Sequence, residues 1–354
     1  MAFQGYSTAA SRNLIRAAQG MLEHAQPITV LGDFGTQREM PQNSTDTLVF
    51  RRTLPLGASL TGTNIQNGGP AGYIGTASIA ANNFLLSEGV TPNSQSISFQ
   101  DVSVQLQQYG VLFKFSSKVE SLYEDDIPGE MVKLVGETMA EVLELVRYGV
   151  MKAGSTVLYA NGSSRSSVNT PISLNVLRKA ARVLESNRAR RVTSRLAPGP
   201  NFATRSVQPA YLVFIHTDVE SDVRNLPGFT RVEEYGSYKP AHDREVGAVE
   251  QFRFVSSPLF APFSAAGSST LNGCVSVGNA NVDVYPVLVV AEDAWGQVAL
   301  KGFNSITPVV LKASDKNHAN PLGQFGYVGA QTWFNAVRLN EAWMARVEVG
   351  VTNL

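Results

Sequence analysis

A chain of 354 residues is long enough for two or three packed units, and a composition of 44% hydrophobic and 16% charged residues excludes a disordered chain. Lys plus Arg and Asp plus Glu are both 29, so no net field draws in nucleic acid or an acidic membrane, and nucleic-acid binding is excluded as the chain's main business. The charged fraction lies below the roughly one quarter usual for globular domains, which fits a surface partly hidden in an assembly, because interface cores are depleted in charge.

Ser11 to His24 predicts a short amphipathic helix with Leu14, Ile15, Ala18, Met21 and Leu22 on one face. Asp33 to Asp46 is rich in turn formers, lacks apolar pattern and reads as an extended arm. Thr47 to Leu56 predicts a strand carrying Arg51 and Arg52. Ile97 to Phe115 predicts a second strand system; Val102, Val104 and Leu106 alternate in one parity, Val111, Phe113 and Phe115 in the other, and the switch near Tyr109 and Gly110 suggests a bulge. Between them, Gly57 to Ser96 holds forty residues with seven glycines and one charge, Glu88. Linkers stay soluble by polarity and charge, whereas this stretch carries Leu60, Ile65, Tyr73, Ile74, Phe84, Leu85 and Leu86. Such a composition predicts an arm covered only by a neighbouring chain, and these residues with Glu88 are the candidate intersubunit contacts.

Asp126 to Gly154 predicts one long helix. Met131, Leu134, Val135, Met139, Val142, Leu145, Val146 and Val150 recur at three- and four-residue steps, with Lys133, Glu137, Glu141, Glu144, Tyr148 and Lys152 opposite. Asp125, Asp126 and Pro128 mark its start, and Gly154 offers a left-handed stop. Its length and one-sided wetting suit a spine with other elements laid across it. Pro171 to Arg191 predicts a helix capped by Ser173, with Val176, Leu177, Ala180, Ala181 and Leu184 inside. The basic run from Arg178 through Lys179, Arg182, Arg188, Arg190 and Arg191 to Arg195 reads as a solvated helix face or an intersubunit charge contact in preference to a phosphate-contacting patch. Strands are predicted at Tyr211 to Ile215, Val249 to Ser256, Val282 to Ala291, Gln297 to Lys301 and Ile306 to Lys312, and a short helix opens at Thr217. Tyr327 to Arg338 and Ala342 to Val349 suit an antiparallel C-terminal hairpin around Asn340. Helices mixed with strands in this order give an α+β or α/β body.

Chemistry is sparse. The four histidines, His24, His216, His242 and His318, lack metal-ligand spacing, and the pairs His216 with Asp218 and His242 with Asp243 read as surface or capping groups. There is no phosphate-binding glycine loop, nucleophile elbow or paired-histidine metalloprotease helix, so no catalytic residue, metal or cofactor is assigned. Cys274 stands alone, which excludes an intrachain disulfide and suits a reducing cytoplasm. No segment approaches a membrane-spanning apolar run.

Ser87-Glu88-Gly89-Val90-Thr91-Pro92, Leu106-Gln107-Gln108-Tyr109-Gly110, Arg224 to Phe229, and the ending from Pro321-Leu322-Gly323-Gln324 through Asn340 to Met344 together resemble the major capsid proteins of tailed bacteriophages, most closely the N-four-like podophage capsid family. The resemblance runs from about Arg51 to the C-terminus, with its order preserved, and Thr61 to Asn83 looks longer than the matching loop of that family. It implies an α+β fold of the Hong Kong phage type. On it, residues 1–46 are an N-terminal arm and 47–116 a two-stranded extended loop. Residues 117–170 are a peripheral domain with the spine helix at 126–154, 171–326 an axial domain, and 327–354 a hairpin returning to the peripheral domain. The implied function is structural: a shell subunit forming hexamers and pentamers around packaged double-stranded DNA, made in the host cytoplasm, with portal, scaffold and decoration proteins as partners and no membrane. An encapsulin-like compartment shell, or a soluble α+β enzyme, are the alternatives. From Arg52 to Phe113 there is no lysine, so a loop-borne amine for covalent cross-linking of neighbours is absent.

Overall fold

The computed structural model describes residues 29–43, 45–53, 60–61, 73–74, 84–92, 94, 96–97, 99–122, 126–197, 203–236, 238–278, 280–301, 307–316 and 320–354. The helix expected at Ser11 to His24 lies outside them. In chain order the strands are β1 (Thr36–Met40), β2 (Thr47–Thr53), β3 (Leu60–Thr61), β4 (Tyr73–Ile74), β5 (Phe99–Gln105), β6 (Gln107–Ser116), β7 (Val157–Tyr159), β8 (Val192–Ala197), β9 (Ala203–Ile215), β10 (Phe229–Arg231), β11 (Glu245–Val249), β12 (Phe252–Ser256), β13 (Tyr285–Val290), β14 (Trp295–Leu300), β15 (Thr307–Leu311), β16 (Phe325–Arg338) and β17 (Met344–Val349). The helices are α1 (Ser117–Leu122), α2 (Ile127–Lys152), α3 (Leu174–Ser186) and α4 (Glu220–Arg224). Two compact units share them: the first draws on the described residues of 1–48, 105–147 and 297–336, the second on those of 49–104, 148–296 and 337–354.

In the first unit β16 pairs with β6 from Phe325↔Ser116 to Phe334↔Gln107 and with β15 from Thr307↔Gln331 to Leu311↔Tyr327, while β14 joins β16 and carries β1. Strand alternation sends Phe115, Val328 and Ala330 to one face, where they cluster with Val135, Met139 and Ala140 of α2. Gly326 is needed there, because an added Cβ would come within 2.2 Å of the Phe115 ring.

Helix α2 starts as expected, with Asp126 Oδ1 accepting the Gly129 N–H at 3.2 Å. Its buried face differs from the expected stripe. Leu134 and Leu145 are about half exposed, at 48% and 47%, whereas Glu144 and Tyr148 are buried, at 0% and 4%. Polar partners explain the Glu144 side: its Oε1 accepts the backbone N–H groups of Val30 at 3.0 Å and Leu31 at 2.6 Å. Arg147 sits 3.4 Å from the same carboxylate and donates to Gln297 Oε1 at 2.8 Å, and Gln297 Nε2 donates to the carbonyls of Gly32 at 2.9 Å and Phe34 at 3.3 Å. Thus the end of the N-terminal arm meets its backbone hydrogen bonds on α2. Burial holds the Glu144 carboxyl above its ordinary pKa, opposed by Arg147 and the backbone donors.

The second unit is an eight-stranded sheet in the order β10-β11-β12-β9-β13-β17-β7, with β8 added to β9. Helix α3 lays Val176, Leu177, Ala180, Ala181 and Leu184 on one face, against Tyr211, Val213, Phe252, Phe254, Val287 and Val347. Ser173 occupies the cap position of α3, but its side chain makes no capping bond. The other face carries charge. Arg165 forms a fork on Glu348 at 2.8 and 2.7 Å, Arg346 Nε lies 2.9 Å from that carboxylate, and the cations of Arg165 and Lys152 sit 3.5 and 3.8 Å from the Phe263 ring centroid. Tyr148 is buried because it stacks on Phe260 at 5.1 Å and donates to the Ala261 carbonyl at 2.9 Å.

Four further expectations are corrected. Gly154 is not left-handed; it is glycine because a Cβ would lie 3.0 Å from Glu341 Oε1. The last carbonyls of α2 are instead met by arginines, with Arg338 donating to Val150 O at 2.6 Å and Arg346 to Lys152 O, which puts cations at the negative end of the helix dipole. The parity switch falls at Leu106, where the chain leaves the β2–β5 pair and enters the β6–β16 pair, so the strand changes partners and does not bulge. The C-terminal hairpin does not form. Strand β17 pairs with β13 from Tyr285↔Val349 to Val290↔Met344 and runs parallel to β7, while β16 lies in the other sheet. Nearly every β17 residue is buried, as a central strand requires. Residues 297–326, expected with 171–296, fall in the first unit.

Replacing Glu144 with Ala strands two backbone N–H groups and a buried guanidinium, and is expected to lower unfolding stability by about 3–5 kcal/mol. Chemical denaturation checks this; a loss below about 1 kcal/mol, the worth of an exposed pair, contradicts it. Because the folded pKa of Glu144 is raised, its contribution is full below the ordinary carboxylate pKa and declines as pH rises through the raised value. Glu144→Gln should remove that decline.

Candidate functional site

The stretch that holds the sequence-predicted contact residues is flanked in the chain by β2 and β5, which pair with each other. Arg51 donates to both oxygens of Asp101 at 2.8 Å, and Arg52 donates twice to Gln100 Oε1, at 2.9 and 2.6 Å. The Arg51 hydrogen bonds hold the Asp101 carboxyl below its ordinary pKa, and burial pushes Arg52 down to about 10. These directional bonds tie β2 to β5.

Leu60 pairs with Ile74 and Thr61 with Tyr73 as a short antiparallel ladder. Ile65 lies outside the described residues. Phe84, Leu85 and Leu86 are 46%, 81% and 72% exposed, and Glu88 is exposed beside them. A turn follows, closed by Val90 N–H to Ser87 O at 3.2 Å; Gly89 has φ of +77°, a conformation that disfavours any side chain, and so presents Glu88 at a tight bend. Val90, Ile97 and Phe99 are exposed as well, at 66%, 70% and 58%. The unusual composition of 57–96 does not reach Ile97 and Phe99, which lie just before and at the start of β5; outward parity relative to Val102 and Val104 is the available signal.

Six large apolar side chains are exposed within sixteen residues of chain, whereas exposed hydrophobic residues are ordinarily scattered singly. Burying one such side chain is worth roughly 1.5–3 kcal/mol, so their exposure sets a strong drive toward a partner. The first unit has an exposed apolar face of its own on its sheet. Leu112, Leu311 and Phe325 are exposed there, and Lys114 lies 3.6 Å over the Phe325 ring.

Conventional chemistry does not gather here. The two histidines among the described residues serve turns: His216 Nδ1 accepts the Asp218 N–H at 3.1 Å, and His242 Nδ1 accepts the Arg244 N–H at 3.0 Å. Among the described residues no three His, Cys, Asp or Glu side chains group as a metal site, and no helix is long and apolar enough to cross a membrane.

Comparison with known proteins adds a family and a fold. A family model described as phage capsid protein matches residues 100–328. The major capsid protein of Pseudomonas phage KPP21 is 20% identical over 267 residues, covering 69% of this chain and 66% of that protein, just under two thirds of its length. The capsid of Ralstonia phage GP4 superposes with a TM-score of 0.60 at 11% identity, over 90% of this chain and 87% of that one. A Cyanophage Pam1 capsid chain gives 0.56 at 12% identity, over 94% and 93%. At such identities the likeness to solved structures speaks for the fold.

Since Leu85 and Leu86 touch little of their own subunit, Leu85→Ser with Leu86→Ser should change subunit unfolding by less than about 0.5 kcal/mol. Thermal melts of the unassembled protein check this. A drop of several degrees would mean that the segment belongs to the subunit's core.

Proposed function

Because the chain belongs to the phage capsid protein family, we propose that it is a major capsid protein, a structural subunit of the virion whose copies assemble into an icosahedral shell around packaged double-stranded DNA. The observation that carries the mechanism is the exposed apolar run from Phe84 to Phe99. In this reading each copy lays that run on a neighbour, burying its own Leu85, Leu86, Ile97 and Phe99. The apolar sheet face around Leu112 and Phe325 is the receiving surface in the first unit. Glu88 is the one charge within 57–96, and Lys114 is the one charge on β6, which makes them natural partners across the contact.

The first unit, with β6, β16 and most of α2, takes the part of the peripheral domain, and the eight-stranded sheet with α3 that of the axial domain. Axial parts meet head to tail, and rotation closes the contact into rings of six and five. Portal, scaffold and decoration proteins complete the assembly, which proceeds in the host cytoplasm. The role is structural, with no catalytic step.

Shell formation followed by negative-stain microscopy and sedimentation tests the proposal. Wild-type protein should form large symmetric particles, and replacing Leu60 to Ser87 with a short Gly-Ser turn should leave a folded subunit that does not assemble. A wild-type protein that stays a 38.1 kDa monomer at high concentration, with or without scaffold or crowding agents, sinks the proposal. With no lysine from Arg52 to Phe113, neighbours are held without covalent bonds, so boiled particles should give a single subunit band on a denaturing gel. A ladder that survives reductant would contradict this.

A further inference from the structure

Helix α3 turns an unusual face to solvent. Between residues 178 and 195 the chain carries seven Lys or Arg against one acid, Glu185, in a sequence whose total charge is zero. The structure divides these cations into two groups. Arg178 forks onto Glu250, and Arg191 bonds Glu185. Lys179, Arg182, Arg188 and Arg190 are exposed and have no acidic partner among the described residues. At 1.5 Å per residue, Lys179 to Arg188 spans roughly 14 Å, a stretch over which duplex DNA presents several phosphates, at one charge per roughly 1.7 Å of axis.

Arg188 has a peculiarity of its own. It sits just past the end of α3 with φ of +55°, while its N–H bonds Glu185 O at 2.9 Å and the Ala189 N–H bonds Leu184 O at 3.0 Å. That is the helix-ending motif in which glycine is the usual occupant of the left-handed position. An arginine there costs backbone energy, at a position close in sequence to the exposed Arg190 and Arg191. A protein partner fits this face poorly, because an interface between proteins is built around an apolar core, and none of the exposed large hydrophobic residues lies between 174 and 193.

We propose that the outer face of α3 and the turn that follows it form a phosphate-backbone contact for double-stranded DNA, made by Lys179, Arg182, Arg188 and Arg190, so that this surface looks toward the packaged genome. The inference rests on the shell reading above and adds which surface of the second unit faces inward. It also revises the expectation of a merely solvated or intersubunit face.

The test is binding of a fluorescently labelled 30-base-pair duplex to full-length subunit kept below its assembly concentration, as a function of salt. Four cations should give a slope of log affinity against log salt of about −3.6, or on the order of 100-fold between 50 and 200 mM. Replacing Lys179, Arg182, Arg188 and Arg190 together with Gln should abolish most binding and flatten the slope. The same number of changes elsewhere, at the exposed Lys118, Arg231, Lys312 and Lys316, should leave the slope intact. Arg188→Gly alone should act in opposite directions, raising the thermal midpoint by relieving the left-handed strain while reducing the slope by about one unit; it decides the matter if the fourfold variant does not fold. Equal effects of the two fourfold variants would reduce the patch to net charge and overturn the proposal. Loss of assembly with DNA binding unchanged would make the face a contact between copies, and would overturn it too. Wild-type shells that form while the subunit binds no duplex defeat this inference and leave the shell reading standing.

Discussion

The dominant physical constraint is apolar surface at residues 84–99 that the described residues of the chain leave uncovered. Leu85, Leu86, Val90, Ile97 and Phe99 are each more than half exposed, in the chain leading into β5 and at its start, and Asp101 and Gln100 tie that strand to Arg51 and Arg52 of β2. A chain that leaves such a surface uncovered needs cores that are stable without it. The second unit supplies this with its own core between α3 and the eight-stranded sheet, and the first with the packing of β6 and β16 on α2.

Charge is handled in a matching way. Several charged groups are drawn inside and matched there: Glu144 with Arg147, Glu341 with Arg338, and Glu348 with Arg165 and Arg346. Arg253, 1% exposed, lies 3.5 Å from Glu245 and 4.6 Å over Tyr235, whose hydroxyl donates to Glu245 at 2.6 Å. Buried pairs of this kind add little net stability compared with apolar residues, but removing one partner is costly, so they fix which segments lie together. With these charges inside, a surface already low in charge keeps its apolar run and the exposed cations on and just after α3.

Much of this was legible in the sequence, and the failures have physical causes. The length of α2, its Asp126 start, the apolar face of α3 and the uncovered stretch at 84–86 followed from periodicity and composition, because each depends on neighbours close in sequence. Glu144 and Tyr148 were misplaced because their partners, Val30, Leu31, Phe260 and Ala261, are more than a hundred residues away. The hairpin was misread for a similar reason: β16 and β17 are adjacent in sequence, yet Val347 pairs with Val287 and Val328 with Phe113. Alternation reports whether a strand is half buried, but not which strand lies beside it. The basic run was visible at once, whereas the division into paired and unpaired cations required Glu250, more than seventy residues on from Arg178.

Electron cryomicroscopy of wild-type particles at side-chain resolution tests the central claim most directly. The account predicts that residues 84–99 lie against a neighbouring copy, with Leu85, Leu86, Ile97 and Phe99 buried in the contact and no density bridging the copies covalently. Particles in which those four side chains face solvent, with neighbours joined through other surfaces, would contradict it.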